Sequence, residues 1–285
     1  MAEDQRPLNE FYDQQYNARA SVADYAQYPV LYRSLSEAAH ARRRSIRDVA
    51  YGPGAGERLD IFPAAQANAP VLLYIHGGYW RALSKDDSAF MAPALVDAGA
   101  CVVVIDYDLA PMVSLDQIVD QTRRALAWVH GHIAEFGGDP ARIVASGSSA
   151  GGHLVGMLLA GGWQADYGVA ASVLHGALPI SGLFDLLPLL ETHINAWINL
   201  DEVSARRNSP HFHVPQQTTE LVVSYGALES AEFARQSHDY LEAWQARGLP
   251  GRFVAAPGRN HFDVVLQLGE PGTPLHRAAL QLLGL

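Results

Sequence analysis

The stretch Gly147-Ser148-Ser149-Ala150-Gly151 follows a short apolar run at residues 143–145 and precedes an apolar, helix-like segment. It has the form G-x-S-x-G, in which the two glycines let a strand reverse sharply into a helix and leave the central serine exposed on a strained turn. The pattern predicts a strand, a tight turn and a helix, with Ser149 as a nucleophile. Ser148 stays as the alternative, although a motif centred on it would need glycines at positions that this chain fills with serine and alanine.

A second motif, His76-Gly77-Gly78-Tyr79-Trp80, directly follows an apolar run at residues 71–75. Neighbouring glycines leave their backbone N–H groups unshielded, and in acyl-transfer hydrolases a loop of this kind donates hydrogen bonds to the oxyanion of the reaction. The N–H of the residue after the nucleophile, here Ala150, completes such a site. The sequence therefore predicts an oxyanion hole formed by Gly77, Gly78 and Ala150.

The two motifs follow each other in the expected order, roughly 70 residues apart, and together they are far more specific than either alone. They resemble those of the α/β-hydrolases of the hormone-sensitive-lipase-like group, and the His-Gly-Gly-x-Trp form is similar to that of the kynurenine formamidase branch. Residues 15–19 also resemble the amino-terminal pattern of that branch. One departure is Asp108, which stands where the wider group carries an arginine, so that no role of that arginine transfers to this chain.

The resemblance covers most of the chain and implies a serine hydrolase that acts through an acyl-enzyme and requires no cofactor. Within the formamidase branch it implies hydrolysis of an N-formyl arylamine, with N-formylkynurenine as the natural candidate. An aromatic leaving group would suit a pocket lined by Tyr79 and Trp80, although ordinary core packing explains two such rings equally well. A carboxylesterase for short-acyl esters is the main alternative, since the same triad serves both reactions. A catalytically silent receptor or scaffold is a remote one.

A serine nucleophile needs a base that accepts its proton and an acid that orients the base, and α/β-hydrolases carry them in the order serine, acid, histidine. His261 fits best as the base, because it follows a strand pattern at residues 251–256 through a glycine-containing loop near the carboxyl end. Other histidines lie before the acid strand or deep in the terminal helix, namely His211, His213 and His276. For the acid, the resemblance implies the G-x-x-D/E position after the penultimate strand, which is Glu229. The competing acids are Glu232, Asp185 and Asp263.

The order of the strand and helix patterns predicts the fold. Patterns at residues 48–51 and 59–62 flank a turn-rich stretch and suit an antiparallel edge hairpin. Further on, short apolar runs alternate with helical periodicity, which predicts an α/β-hydrolase fold with a mostly parallel, doubly wound sheet and an antiparallel N-terminal edge. After the nucleophile we expect a strand at residues 169–174, and then a small cap or pocket-wall excursion at about residues 179–215.

The bulk composition bounds the class of protein. With 285 residues, 49% of them hydrophobic, we expect a single domain over residues 1–285. Residues 1–45 are polar and rich in tyrosine, which predicts a segment that covers the surface of the domain or forms a lid over the active site. The 20 basic and 30 acidic residues give a net charge of −10, which disfavours nucleic acid and anionic membranes. The expected partner is a small-molecule substrate, with a homodimer as one open form of assembly.

The sequence also bears on cellular location and metal binding. Residues 1–6 lack an apolar signal core, and no apolar run approaches the roughly 20 residues that span a bilayer, so a cytoplasmic location is expected. The single cysteine, Cys101, begins an apolar run and is expected to be buried and inert. Among the twelve histidines, His211 and His213 form a close pair without any zinc motif, so no metal is expected.

Overall fold

The computed structural model describes residues 8–216 and 219–285. The interpretation of residues 1–6 as lacking a signal core therefore concerns a segment outside the described residues, as does the start of the covering segment. Within the described ranges, none of the helices has the combination of length and apolar character that crossing a bilayer requires.

A single eight-stranded sheet forms the centre of the protein. Its strands are Ile46–Ala50 (β1), Arg58–Phe62 (β2), Ala69–Ile75 (β3), Cys101–Ile105 (β4), Gly138–Ser148 (β5), Gly176–Ile180 (β6), Glu220–Val223 (β7) and Gly251–Phe253 (β8). Their spatial order is β1-β2-β4-β3-β5-β6-β7-β8. β2 runs antiparallel to both β1 and β4, and every other neighbouring pair is parallel. The predicted parallel sheet with an antiparallel N-terminal edge is confirmed.

Helices cover both faces of this sheet. They are Glu10–Gln15 (α1), Gln27–Arg42 (α2), Ala92–Asp97 (α3), Leu115–His132 (α4), Ala150–Leu159 (α5), Asn195–Ile198 (α6), Glu202–Arg207 (α7), Ala231–Ala246 (α8) and Pro274–Leu283 (α9). Successive residues of a strand point to opposite faces, so the side chains of β3 alternate between two apolar layers. Val71, Leu73 and Ile75 belong to the layer that α4, α5 and α8 cover. Leu72 and Tyr74 belong to the layer covered by α2, α3 and α9.

The strand expected at residues 169–174 is wrong. That segment holds turns, and the strand next to β5 is β6, at Gly176–Ile180. The sequence of β6 does not look like that of a central strand, because it contains Pro179. Proline cannot donate a backbone hydrogen bond and is usually confined to edge strands. The pairing between β6 and β7 is interrupted at this proline. Gly176 and Ala177 pair with β7, and beyond Pro179 an isolated bridge joins Ile180 to Ser224.

The N-terminal segment is joined to the sheet domain through Tyr16. This side chain is fully buried, and its hydroxyl donates to Glu232 Oε2 at 2.8 Å and accepts from Gln236 Nε2 at 2.9 Å. Both partners belong to α8, more than 200 residues further along the chain. Nearby, the Ser230 hydroxyl donates to the carbonyl of Gln15 at 2.7 Å. The covering segment is therefore held against α8 by buried hydrogen bonds as well as by apolar packing.

Removing the Tyr16 hydroxyl should therefore destabilise the protein. We expect Tyr16→Phe to lower the free energy of unfolding by about 1 to 3 kcal/mol, because two buried polar groups each lose a partner. The measurement is urea unfolding followed by tryptophan fluorescence. Tyr12→Phe is the matched control, since the Tyr12 ring is only half-buried and its change should stay within about 0.5 kcal/mol. Equal losses in the two variants would show that the buried hydroxyl has no special importance.

Candidate active site

Ser149 lies on the sharp turn between β5 and α5. Its backbone dihedral angles are φ 57° and ψ −117°, a conformation that non-glycine residues rarely adopt. The Ser149 N–H donates to the carbonyl of Ile180 at 2.8 Å, which fixes the turn against β6. Gly151 is required by close approach, because a Cβ at this position would lie 2.1 Å from the carbonyl oxygen of Ile75. Ser148 is still the last residue of β5 and pairs with Ile180 in the sheet.

The His-Gly-Gly loop lies directly against this turn. A Cβ on Gly77 would lie 2.7 Å from the carbonyl oxygen of Ser148, and Gly78 has a φ of 97° that favours glycine. His76 anchors the start of the loop, because its ring stacks on Tyr107 with centroids 4.2 Å apart. Ala150 is the first residue of α5, where backbone N–H groups have no acceptor within the helix. The loop and the start of α5 thus bring together the backbone groups predicted to bind an oxyanion.

His261 and Glu229 form a buried pair. His261 Nδ1 lies 2.7 Å from Glu229 Oε2 and donates to it, because a carboxylate only accepts. The side chain of Glu229 is fully buried and that of His261 is 5% exposed. Phe233 packs on the imidazole with ring centroids 4.4 Å apart. The pairing leaves Nε2 of His261 as the nitrogen that can accept a proton.

Ser181 is a site residue that the sequence analysis missed. Its hydroxyl donates to Glu229 Oε1 at 2.6 Å, and the backbone N–H of Gly226 donates to the same oxygen at 2.6 Å. Both oxygens of Glu229 are therefore satisfied, so that one points firmly at the imidazole. Ser181 follows β6 directly and adopts a left-handed conformation with a φ of 50°. Since β6 itself was not recognised in the sequence, no local signal identified this residue.

The competing acids and histidines are bound elsewhere. Glu232 pairs with Arg235 and accepts from Tyr16, whereas Asp185 accepts from the backbone N–H of Leu187 at 3.0 Å. Asp263 accepts from the backbone N–H of Asn260 at 2.7 Å and so stabilises the loop that carries His261. Of the histidines named as alternatives, His276 contacts the carbonyl of Leu268 and His213 that of Arg206, whereas the ring of His211 packs against Phe212. None of these contacts orients the imidazole of His261.

A cavity of about 660 Å³ opens beside the turn, and Ser149, His261, Gly77 and Gly78 all line it. Its other walls are mostly aromatic and aliphatic, formed in part by Tyr74, Leu83, Phe90, Phe262 and Val265. The N-terminal segment also lines the cavity, through Ala18, Arg19, Tyr25, Pro29 and Tyr32. This aromatic and aliphatic lining suits a small molecule with an aromatic ring. The N-terminal segment therefore forms part of the cavity wall, and its role as a lid stays a prediction.

The two aromatic residues after the glycine pair lie in different places. Tyr79 lines the cavity, and its hydroxyl donates to the carbonyl of Tyr16 at 2.6 Å. Trp80 is fully buried in the core instead, where its indole N–H donates to His153 Nδ1 at 3.2 Å. Burial lowers the pKa of His153 to about 4, so that its neutral ring can accept this bond. The prediction that Trp80 contacts the substrate is therefore wrong: its ring packs in the core beneath the His-Gly-Gly loop.

Two other sequence features also have a structural explanation. Asp108, the departure from the lipase-like pattern, accepts from the backbone N–H of Gly56 at 2.8 Å and from Gln121 Nε2 at 2.7 Å. It therefore ties the turn before β2 to α4. Cys101 is fully buried, and burial raises the pKa of its thiol to about 12, as expected for an inert cysteine.

Comparison with known proteins gives the same class. The sequence profile of the BD-FAE family matches residues 59–169. A kynurenine formamidase of Salmo salar is 34% identical to this chain over 96% of this chain and 95% of its own length. The esterase LipQ of Mycobacterium tuberculosis is 32% identical over 76% of this chain and 57% of its own length. The structure of a Pyrobaculum calidifontis esterase, 20% identical, superposes with a TM-score of 0.71 over 96% of this chain and 98% of that one.

The fold and the arrangement at the site define an α/β-hydrolase, and the chain is a hydrolase of this class. A small-molecule substrate, as expected from the sequence, fits this class. This chain and the Salmo salar kynurenine formamidase are 34% identical along nearly their whole lengths, which indicates a common family and not merely a common fold. The chain belongs to the kynurenine formamidase branch of the α/β-hydrolases, and the resemblance seen in its motifs is confirmed.

Proposed function

We propose that the protein is an arylformamidase, which removes the formyl group from an N-formyl arylamine through an acyl-enzyme. N-formylkynurenine is the natural candidate substrate. Similarity to kynurenine formamidases along almost the whole chain is the observation that carries this proposal. The aromatic cavity beside Ser149 supports it, because an arylamine leaving group needs an apolar wall on which to pack.

In the first half of the proposed reaction, Ser149 Oγ attacks the formyl carbon while His261 Nε2 accepts the hydroxyl proton. The N–H groups of Gly77, Gly78 and Ala150 bind the oxyanion that develops on the carbonyl oxygen. The C–N bond then breaks, and His261 returns the proton to the departing arylamine nitrogen. The product of this half is a formyl ester on Ser149 together with the free arylamine.

In the second half, water attacks the formyl ester and His261 again accepts a proton. Collapse of the second tetrahedral intermediate releases formate and restores the serine hydroxyl. Glu229 stabilises the imidazolium in both halves, since its carboxylate lies 2.7 Å from Nδ1. The proposal needs no cofactor and no metal, because each proton transfer has an acceptor within this chain. A cytoplasmic location and a homodimer remain expectations from the sequence, and each needs its own test.

The decisive measurement compares N-formylkynurenine with p-nitrophenyl acetate on the same preparation. We expect the higher kcat/KM on the formamide, because an amine leaves far less readily than p-nitrophenolate and needs a binding site that aligns it with His261. An ester-specific enzyme has no need of such a site. Brisk turnover of the ester without any turnover of the formamide would overturn the formamidase assignment and leave the triad intact.

A carboxylesterase for short-acyl esters is the second candidate. The observation that favours it is the 32% identity to the esterase LipQ, which covers 76% of this chain. The same serine, histidine and oxyanion groups would serve this reaction, with an alcohol in place of the amine as leaving group. The substrate comparison above separates the two functions.

A further inference from the structure

A second cavity, of about 550 Å³, adjoins the one beside Ser149. The two cavities share Ala18, Arg19 and Tyr79 as a common wall. The far side of the second cavity is formed by Arg81, His193 and Trp197. The proposed mechanism uses none of these three side chains. Arg19 lines both cavities, and Arg81 adds a second guanidinium group in the second cavity.

Arg81 is held in place without a negatively charged partner. Its guanidinium lies 4.3 Å from the ring centroid of Trp197, at a distance typical of a cation–π contact. The indole N–H of Trp197 in turn donates to the carbonyl of Tyr79 at 3.1 Å. Across residues 8–216 and 219–285, no carboxylate lies within ion-pairing distance of Arg81. The side chain is exposed, so its hydrogen-bond donors remain available to a ligand.

Arg19, which lies in the wall common to both cavities, also stacks on an aromatic ring. Its guanidinium lies 4.7 Å from the ring centroid of Tyr25, and among the described residues it too has no carboxylate partner. Among the described residues, no carboxylate lines the second cavity, and Asp13 lies 2.6 Å from Nδ1 of the wall residue His193. Other arginines of this acidic protein do pair with carboxylates, as Arg207 does with Asp116 at 2.7 Å. Two unpaired arginines beside the active site therefore make a local excess of positive charge.

We propose that Arg19 and Arg81 bind a carboxylate of the substrate. This inference rests on the proposed function, whose candidate substrate N-formylkynurenine carries a carboxylate on its side arm, and it assigns the residues that bind this group. The aryl ring would occupy the apolar cavity beside Ser149, and the arm would pass Tyr79 into the second cavity. Guanidinium groups suit this role, because their planar set of donors matches the two oxygens of a carboxylate.

The test uses two substrates that differ only in this charge: N-formylkynurenine and its carboxamide. We expect the wild-type enzyme to prefer the carboxylate, and Arg81→Gln to lower the ratio of the two kcat/KM values by about 10- to 100-fold. Most of the loss should appear in KM, because a remote contact is made equally in the ground state and in the transition state. Arg81→Lys keeps the charge and should retain part of the preference. Arg19→Gln should reduce the ratio in the same direction.

Arg277→Gln is the matched control, since Arg277 is an exposed arginine on α9, outside both cavities. Its ratio should equal that of the wild type. If the wild type hydrolyses both formamides equally well and Arg81→Gln leaves the ratio unchanged, the carboxylate site is overturned while the formamidase function stands.

If the enzyme hydrolyses no formamide, the carboxylate site can still be tested by inhibition. Kynurenine and kynuramine, which lacks the carboxylate, are then compared as competitive inhibitors of p-nitrophenyl acetate hydrolysis. We expect kynurenine to inhibit more strongly in the wild type, and Arg81→Gln to remove most of this difference. Equal inhibition by the two amines in the wild type would overturn the carboxylate site, whatever the natural reaction is.

Discussion

Ser149→Ala is expected to lower kcat by about 10⁴- to 10⁶-fold on either the formamide or an aryl acetate ester. The loss should be this large because the hydroxyl is the only atom of the side chain that can form the acyl-enzyme, and neither His261 nor Glu229 has a nucleophile to activate without it. Folding should be preserved, since Ser149 is 6% exposed and the alanine keeps its Cβ on the same turn. Steady-state kinetics together with a thermal unfolding curve check both halves of this expectation.

Ser148→Ala is the control that tests which of the two neighbouring serines is the nucleophile. Ser148 also lines the cavity, but it ends β5 in regular pairing with Ile180, whereas Ser149 has the unusual backbone conformation of a residue between strand and helix. We expect Ser148→Ala to retain activity close to that of the wild type. A dead Ser148→Ala together with an active Ser149→Ala would shift the proposed nucleophile by one residue and require a different explanation of the Gly147 to Gly151 motif.

The parts of this fold that could be predicted are those encoded by nearby residues. A buried parallel strand appears as a continuous apolar run, and β3 and β4 are fully buried over their whole length. The turn at Ser149 could be predicted for the same reason, because close approach of the chain requires glycine and leaves a pattern five residues long. In both cases the physical cause and the sequence signal lie within the same short segment.

Other parts depend on contacts between distant segments. The position of the N-terminal segment against the cavity is set by Tyr16 and its partners on α8, and nothing near Tyr16 in the sequence indicates them. β6 was missed because the tertiary structure tolerates Pro179 in a position where a single strand pattern would exclude it. Ser181 was missed as a consequence, since its contact with Glu229 spans 48 residues.

Trp80 shows a different limit. Its place in a motif, after two glycines predicted to bind an oxyanion, is visible in the sequence. The direction of its side chain, however, depends on a turn in which both Tyr79 and Trp80 have positive φ. That turn sends one ring into the cavity and the other into the core, where His153 accepts its N–H. Proximity to an active-site motif therefore indicates a supporting role as readily as a substrate contact.

Glu229→Gln is expected to lower kcat by about 10²- to 10⁴-fold with little change in stability. Ser181 and Gly226 both donate to Oε1 of this carboxylate, so the amide oxygen of a glutamine is expected to remain on their side. The amide NH₂ would then face His261 Nδ1, at the position where the carboxylate oxygen now accepts a hydrogen bond. Nδ1 would have to become the acceptor, which places the ring proton on Nε2 and prevents that nitrogen from taking the proton of Ser149. The loss of negative charge adds to this effect, because the imidazolium formed during the reaction is no longer stabilised.

Asp185→Asn is the matched control for this substitution, because Asp185 is one of the competing acids in the sequence. Its carboxylate accepts from the backbone N–H of Leu187 instead of contacting the imidazole. It should keep most of the wild-type rate. Ser181→Ala separates the two causes of the Glu229 effect: it removes one of the two donors to Oε1 but leaves the charge, so we expect a smaller loss, below about 10-fold, from a less firmly oriented carboxylate. A near-normal Glu229→Gln combined with a crippled Asp185→Asn would move the acid into the excursion between β6 and β7. A Ser181→Ala variant as slow as Glu229→Gln would instead make orientation, and not charge, the main contribution of Glu229.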